Sequence, residues 1–568
     1  MKKKLFRKFL CVALATLTCA TAFSFTACSP AGGGGSKFEL KIRNYGGGFG
    51  EEWLIKAAAD FEALYDGVEY GGKVGVDVVY SSPKNDSVDT DMQSDNHIVV
   101  REFGNIYTSR YNEFLEIDSV FTDTLSDGKT IESKLYEGDA DKLKINGHYY
   151  AVPHYEIFGG ITYDVGLFKE RSFYIGANGS WVNGADKSLL SKGPDGIKCT
   201  HANNVECTCD DGLPANYEEF KNLLNRINGL QTTPILWSGQ SDYYANYMLS
   251  AMYACLLGKE LDYVYGLNSK GNDITYITGF DKGEPITKSE PITTETAYKL
   301  YTQLEKYQVI SFLDDILGTV QVPSGYIDSI GFSGTKTMKE TQKIFIQSKR
   351  VPQISGSSRP IAMLVEGNYW THESKTAISN EAQKGAQWAK KFAQMPMPAV
   401  VSGSVDATTG VNSYTLVDSA SCYMVINKRT VEGNEDLINL AKEFIKFCNT
   451  DEKLQEFTTI TNTTKGLKYD LEDAQYEGLS HYGKSVWNLR EKAIENKVIF
   501  SNKSSNPVFR DAYTDFAQTC TGGFWSSGTT SVAVQGLFTN GLNAESYFNG
   551  MKKLSAQEWI NTYQNLWS

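Results

Sequence analysis

An α/β fold with a largely parallel sheet is predicted for this 568-residue sequence by three observations. Runs rich in Val, Ile and Tyr alternate with stretches whose apolar residues recur at helical spacing, the alternation persists along the chain, and several strand-like runs end in glycine turns. FELKIRNYGG (38–47) alternates as a strand and stops at glycines. EEWLIKAAADFEALY (51–65) follows as a helix, with Trp53, Ala57, Phe61 and Leu64 on one face. KVGVDVVYS (73–81) and NHIVVREFGN (96–105) are the next two strands by composition. INGHYYAVPHYEIFGGITYDVGLFKE (145–170) gives a turn, a strand, a proline and a second strand leading into a helix. NYEEFKNLLNRI (216–227) is a capped amphipathic helix, and residues 233–258 give a strand, a loop and a buried helix. RPIAMLVEGNYW (359–370) is a buried strand running into a glycine turn, and residues 437–460 give two helices.

The N-terminus is a targeting segment. Lys2, Lys3, Lys4, Arg7 and Lys8 form a basic region, and the apolar run from Phe9 to Phe25 is too short and too rich in Thr and Ser for a comfortable membrane span. Thr26 and Ala27 precede Cys28 in the manner of a bacterial lipobox, so residues 1–27 are expected to be a lipoprotein signal peptide, with Cys28 lipidated as the mature N-terminus. Residues 28–36, rich in Gly and Ser, make a flexible tether. The working location is then the extracytoplasmic face of a cell membrane, held there only through the lipid. The formal net charge is −12; removing the five basic leader residues leaves about −17. That acid balance repels nucleic acid and anionic lipid alike. The aromatic supply is large, with 33 Tyr and 9 Trp, which suits flat apolar ligand faces.

NYGGGFG (44–50) invites a phosphate-loop reading, but Glu51 and Glu52 stand where a phosphate needs positive charge, and no Gly-Lys-Ser/Thr follows. These glycines serve a close approach of backbone to a ligand or a neighbouring helix. Gly-x-Ser-x-Gly, His-Glu-x-x-His and dinucleotide fingerprints do not occur, and no repeat period is found.

The order of pieces resembles the extracellular solute-binding proteins of bacterial carbohydrate ABC transporters, the group that includes maltodextrin-binding proteins. The resemblance runs through IRNYGG, SDNHIVVREFGN, INGHYYAVPHYE with GITYDVGLFKE, LPANYEEFKNLL, AMLVEGNYW and AKEFIKFCNTDEKLQEF. His97 replaces the usual Asp of that group and Asp164 the usual Asn. The resemblance implies a bilobal, periplasmic-binding-protein-like fold: two doubly wound α/β lobes joined by a hinge, with ligand trapped between them. By its pattern the N-terminal lobe holds 37–157 and about 424–478, and the C-terminal lobe 158–423 and about 479–568.

Sugar recognition needs aromatic platforms for C–H faces and carboxylate, amide or Arg groups for hydroxyls. The resemblance places Trp237, Trp370 and Trp525 at cleft-facing positions, each among Gly, Ser or Asn at a strand end, with Tyr243 and Tyr244 in a following loop. From the first lobe it brings Tyr45, Arg101, Glu102, Phe103 and Asn105, at strand C-terminal ends where open α/β sheets hold ligands. Glu156 falls at the first crossover, as a hinge carboxylate on a ligand hydroxyl or as a solvated charge, and His154 beside it reads as structural.

The implied function is a monomeric, lipid-anchored binding protein, without catalytic residues, that hands an oligosaccharide to a membrane permease. The alternatives are a non-transporting glycan or peptide receptor on the same fold and, behind it, a cell-surface glycosidase, which would need two carboxylates facing one cleft. No cofactor is required. KCTHANNVECTCDDGLP (198–214) carries Cys199, His201, Cys207 and Cys209 at spacings zinc accepts. Outside the reducing cytosol a disulfide from Cys199 to Cys207 or Cys209 is favoured over zinc. Asp195, Asp210 and Asp211 resemble the carboxylates of an acidic turn loop that holds a structural calcium. Cys255, Cys422 and Cys448 lie in apolar patterns and read as buried thiols.

Overall fold

The structure, a computed structural model, describes residues 37–84, 87–103, 109–200, 209–240, 243–261, 273–293, 295–318, 324–348, 359–386, 388–398, 411–418, 422–501, 537–538, 540–550 and 555–563. The signal segment and Cys28 lie outside these, as do Asn105, His201, Cys207 and Trp525.

Two sheets organise the molecule. The first is built from β1 (Phe38–Asn44), β2 (Val76–Ser81), β3 (Ile98–Glu102), β4 (Val152–Pro153) and a late strand, β9 (Cys422–Ile426), in the spatial order β2-β1-β3-β9-β4. The second comprises β5 (Gly159–Asp164), β6 (Thr233–Leu236), β7 (Ile361–Gly367) and β8 (Phe392–Met395), in the order β6-β7-β5-β8. Each sheet has its own packed core. That of the first lobe joins residues from 40 to 157 with residues from 422 to 487, and the second lobe fills the rest.

Local sequence explains the elements. In β1 the buried Leu40, Ile42 and Asn44 alternate with outward Glu39, Lys41 and Arg43, the period-two pattern of a strand with one covered face. Helix α1 (Glu52–Leu64) buries Trp53, Leu54, Ala57, Ala58 and Phe61 against the first sheet's helical layer. Helix α2 (Tyr217–Gly229) starts where the Asn216 side chain accepts the Glu219 N–H at 2.9 Å, and it turns Phe220, Leu223, Leu224 and Ile227 inward. Every residue of β7 is buried, as an interior strand with both faces covered requires. Helix α3 (Tyr243–Leu257) spans the region expected to begin as a loop, so Tyr243 and Tyr244 open a helix instead. A two-stranded hairpin, Asp273–Asp281 with Glu284–Pro291, has no counterpart among the sequence-predicted elements.

The expectation of a largely parallel sheet holds for all but one strand of each sheet. Of the seven pairings in the two sheets, β1 with β2, β1 with β3 and β6 with β7 are parallel, whereas β9 runs antiparallel to β3 and β4, and β5 antiparallel to β7 and β8. The reason is connectivity. A strand that enters its sheet from the opposite lobe is not delivered by the helical crossover that forces parallel pairing.

The backbone crosses between the sheets at Glu156 to Phe158, again between Asp418 and Cys422, and again between α4 (Asp451–Thr461) and α5 (His481–Glu495). α5 packs on β8, where Ser485 Oγ accepts the Gln394 N–H at 2.9 Å. At the first crossing the Ile157 N–H donates to Asp418 Oδ1 at 2.9 Å, the Glu156 N–H to the Thr464 carbonyl at 3.1 Å, and Asn368 Nδ2 to the Glu156 carbonyl at 3.3 Å. All the crossing segments are thereby knitted at one place.

Candidate functional site

Between the lobes lies a cleft of about 920 Å³. Its first-lobe wall is the glycine-rich loop that leaves β1. Tyr45 continues the strand, with its N–H on the Val100 carbonyl at 2.9 Å, and Gly46 to Gly50 then turn across the cleft. Two glycines are needed there for stated reasons. Gly48 has φ +48°, and a Cβ on it would stand 3.0 Å from the Tyr369 ring; Gly50 has φ +66°, and its Cβ would stand 3.1 Å from His372 Nε2. The loop carries no phosphate-binding signature and instead lets first-lobe backbone approach second-lobe side chains.

The walls are aromatic. Phe49 stacks on Tyr155 at 3.8 Å between centroids and leans on Tyr369 at 5.6 Å. Tyr369 comes from the turn after β7, and its hydroxyl lies 3.3 Å from that of Tyr247 on α3, whose neighbour Tyr244 also lines the cleft. Tyr247 and Tyr369 belong to the second lobe yet pack against the first lobe's core, so the tyrosines straddle the gap. Polar groups are set between the rings: Ser82, Glu102, Ser238, Gln240, Glu373 and Lys339. Glu102 accepts the Tyr155 O–H at 2.9 Å, and the enclosing walls push its carboxyl above the ordinary carboxylate range. Beneath the turn, Glu366 is buried, accepting Gln342 Nε2 at 2.9 Å and the Gly367 N–H at 3.1 Å. Burial pushes it up to about 8.

The sequence-predicted residues fall into three groups. Tyr45 and Glu102 line the cleft. Arg101 stands behind it: its guanidinium is paired with Asp91 and lies 5.7 Å over the Tyr45 ring, so it supports Tyr45. Tyr243 heads α3 next to the lining Tyr244. Phe103 is a core residue. The cleft roles expected of Trp237, Trp370 and Glu156 are corrected. Trp370 is 0 % exposed, donates Nε1–H to Thr162 Oγ1 at 3.0 Å, and sits among Phe345, Phe392 and Tyr482. Trp237 is likewise enclosed, with Nε1–H on the Gly331 carbonyl at 3.0 Å. Each indole N–H is satisfied inside the second lobe, so the small polar flanks mark a strand end and not an open face. Glu156 is fully buried at the crossing, where Arg490 Nε donates to it at 3.2 Å and Tyr136 and Thr464 hydroxyls complete its shell. It grips no ligand hydroxyl. His154 is buried against Lys465 Nζ at 2.8 Å, a structural role.

Sequence reasoning missed Tyr369, Tyr247, Phe49, Tyr155 and His372. Tyr369 stands beside Trp370 in EGNYW, and the turn from β7 into the short helix Trp370–Glu373 sends Tyr369 to the cleft and Trp370 to the core.

No family model and no curated protein sequence matches the chain. Solved structures do. A chitin oligosaccharide binding protein is 12 % identical, with 94 % of this chain and 100 % of that one covered and a TM-score of 0.51. A structure from a study of xylan utilization by the thermophilic bacterium Caldanaerobius polysaccharolyticus is 13 % identical over 90 % of this chain and 99 % of that one, with a TM-score of 0.50. The chain has the bilobal, periplasmic-binding-protein-like fold.

The carboxylate cage expected for calcium is not formed in the second lobe of this binding-protein fold. Asp210 Oδ2 accepts the Asp195 N–H and the Tyr414 O–H, each at 2.8 Å. Asp195 accepts the Ile197 N–H at 2.8 Å and pairs with Lys492 at 2.5 Å, and Asp211 pairs with Lys198 at 2.9 Å. The three carboxylates are engaged by turn amides, Tyr414 or lysines and do not converge at metal-holding distances. Burial, then Asp195, pushes Asp210 up to about 7. Among the described residues, the grouping with metal-holding spacing is Glu116, Asp118 and His148, which does not line the cleft. Cys199 and Cys209 are half-buried at the two ends of the segment that contains His201 and Cys207, whereas Cys255, Cys422 and Cys448 are buried.

Proposed function

We propose that the protein is the extracytoplasmic substrate-binding component of an ABC importer, held to the membrane through a lipid on Cys28, which captures an oligosaccharide between closing lobes and passes it to a permease without chemistry. One observation carries the reading of the ligand: tyrosine and phenylalanine rings from both lobes face one cleft, with carboxylate, amide and hydroxyl groups between them. Flat rings suit sugar C–H faces, and the polar groups suit hydroxyls. The volume stands at the upper end of the range of small-molecule sites, about 300–1,000 Å³, which favours several linked rings over one. The chitin oligosaccharide named for the similar structure belongs to the same ligand class.

Calorimetric titration with a panel of neutral oligosaccharides, with chromatography of the mixtures, tests this. Saturable heat without product supports capture; turnover overturns it. Tyr369→Ala is expected to weaken the best ligand by about 10- to 100-fold, roughly 1–3 kcal/mol, the scale of an aromatic anchor. An unchanged affinity removes Tyr369 from the site. For the anchor, Cys28→Ser is expected to move the protein from the membrane fraction to the soluble one when produced with its own leader in a lipoprotein-processing bacterium. Retention in the membrane fraction overturns lipidation.

A further inference from the structure

At the solvent edge of the cleft one carboxylate serves two bases on the opposite lobe. Glu52, at the start of α1 in the first lobe, is paired through Oε1 with Lys375 of the second. Its Oε2 lies 3.5 Å from Nε2 of His372, also of the second lobe. Glu52 and Lys375 are half-exposed, but His372 is buried and its Nε2 makes no hydrogen bond. A Cβ on Gly50 would stand 3.1 Å from the same nitrogen, so first-lobe backbone helps to cover the imidazole.

We propose that Glu52 is a positioning residue that clasps the lobes across the cleft, and that protonation of His372 loosens the clasp and opens the cleft.

The charges that bear on His372 are Glu52 from the first lobe and Lys375 from its own. Its neighbour Glu373 is engaged by Gln342 at 2.9 Å and by Lys339 at 3.7 Å. At neutral pH the arrangement balances: Lys375 satisfies Glu52, and His372 is a neutral ring. A proton on His372 places a buried cation near the half-exposed Lys375 with only Glu52 between them. The direction follows from linkage. With the lobes together, burial first and Lys375 second hold the imidazole below its ordinary value; opening exposes it to water and restores that value. Protons therefore bind the open state more tightly, and acid shifts the population toward it. Lys375 holds the Glu52 carboxyl below its ordinary value.

The proposal rests on reading the cleft as one that opens and closes, not on the identity of the ligand. It is tested without ligand, so failure here leaves sugar capture standing, and a failed sugar titration leaves the clasp standing. Small-angle scattering of the mature chain is compared at about pH 7 and about pH 5, the span over which an imidazole titrates. The wild-type radius of gyration is expected to rise on acidification, and His372→Gln to show no such rise. Lys375→Gln, at a half-exposed position that leaves the core intact, is expected to weaken the response without abolishing it, because burial, the larger cause, remains. Glu52→Gln is expected to be expanded at both pH values. A wild type indifferent to pH, or a His372→Gln variant that follows the wild type, overturns the clasp.

Discussion

Arg490→Met is expected to lower the free energy of unfolding by about 3–5 kcal/mol at neutral pH, the cost of leaving one member of a buried ion pair behind. Arg490 and Glu156 are both 0 % exposed and lie on opposite sides of the lobe crossing. Arg490 Nε donates to Glu156 at 3.2 Å, its Nη1 to Glu491 at 2.8 Å, and its guanidinium lies 4.8 Å over Tyr469 and 5.1 Å over Trp487. Without the cation, Glu156 keeps the Tyr136 and Thr464 hydroxyls but no countercharge. Its carboxyl then moves upward and takes a proton. The sign is set by that shift: a carboxyl whose folded value is raised loses stability as pH climbs from the unfolded value to the folded one. The variant's deficit should thus shrink as pH is lowered toward about 4, the free-carboxylate range. Urea titrations of wild type and variant at several pH values measure it, and Glu156→Gln combined with Arg490→Met should recover part of the loss. A deficit below about 1 kcal/mol, the level of a surface pair, would show that the crossing does not depend on this contact.

Trp370→Ala is expected to cost about 3–5 kcal/mol of stability, the range for emptying a large aromatic from a packed core. The ring is enclosed by Phe345 at 5.9 Å, Phe392 at 5.0 Å and Tyr482 at 6.0 Å, and its N–H is held by Thr162. The adjacent pair then separates two roles in one measurement series. Trp370→Ala shifts the denaturation midpoint, while Tyr369→Ala shifts ligand affinity. The milder Trp370→Phe keeps the ring and leaves Thr162 without its donor, at about 1–3 kcal/mol, and should bind ligand as the wild type does. Full stability in Trp370→Ala would return this indole to the cleft.

Much of the architecture was legible because it is written in local periodicity. The alternation in FELKIRN, the Asn216 cap and the wholly apolar IAMLV each dictate an element from a few neighbouring residues. NYGGGFG was legible as a close-approach loop for the same reason, since a run of glycines serves little else. Strand direction was not, because the pattern of a strand is the same whichever way it runs; only the interlobe path turned β5 and β9 around. The fate of Glu156 was hidden by distance: its partner Arg490 lies 334 positions away, and nothing in AVPHYEIF distinguishes a buried strut from a ligand hook. The tryptophans misled because polar flanks report where a strand ends but not which way its last side chains point.

The late arrival of β9 has a consequence for how the molecule is made. Its backbone lies between β3 and β4, and β4 has no other partner in the sheet, so residues 152–153 remain unattached until residue 424 has been synthesised. α4, which packs on α1, comes later still. The amino-terminal half therefore cannot mature as a unit while the ribosome is still producing the carboxy-terminal half; it waits with an open sheet edge exposed to aggregation. Long-range pairings of this kind slow folding. Truncation after residue 418, which keeps the whole of the second sheet, would deprive the first sheet of an interior strand and leave a fragment unable to complete either half of its own hinge.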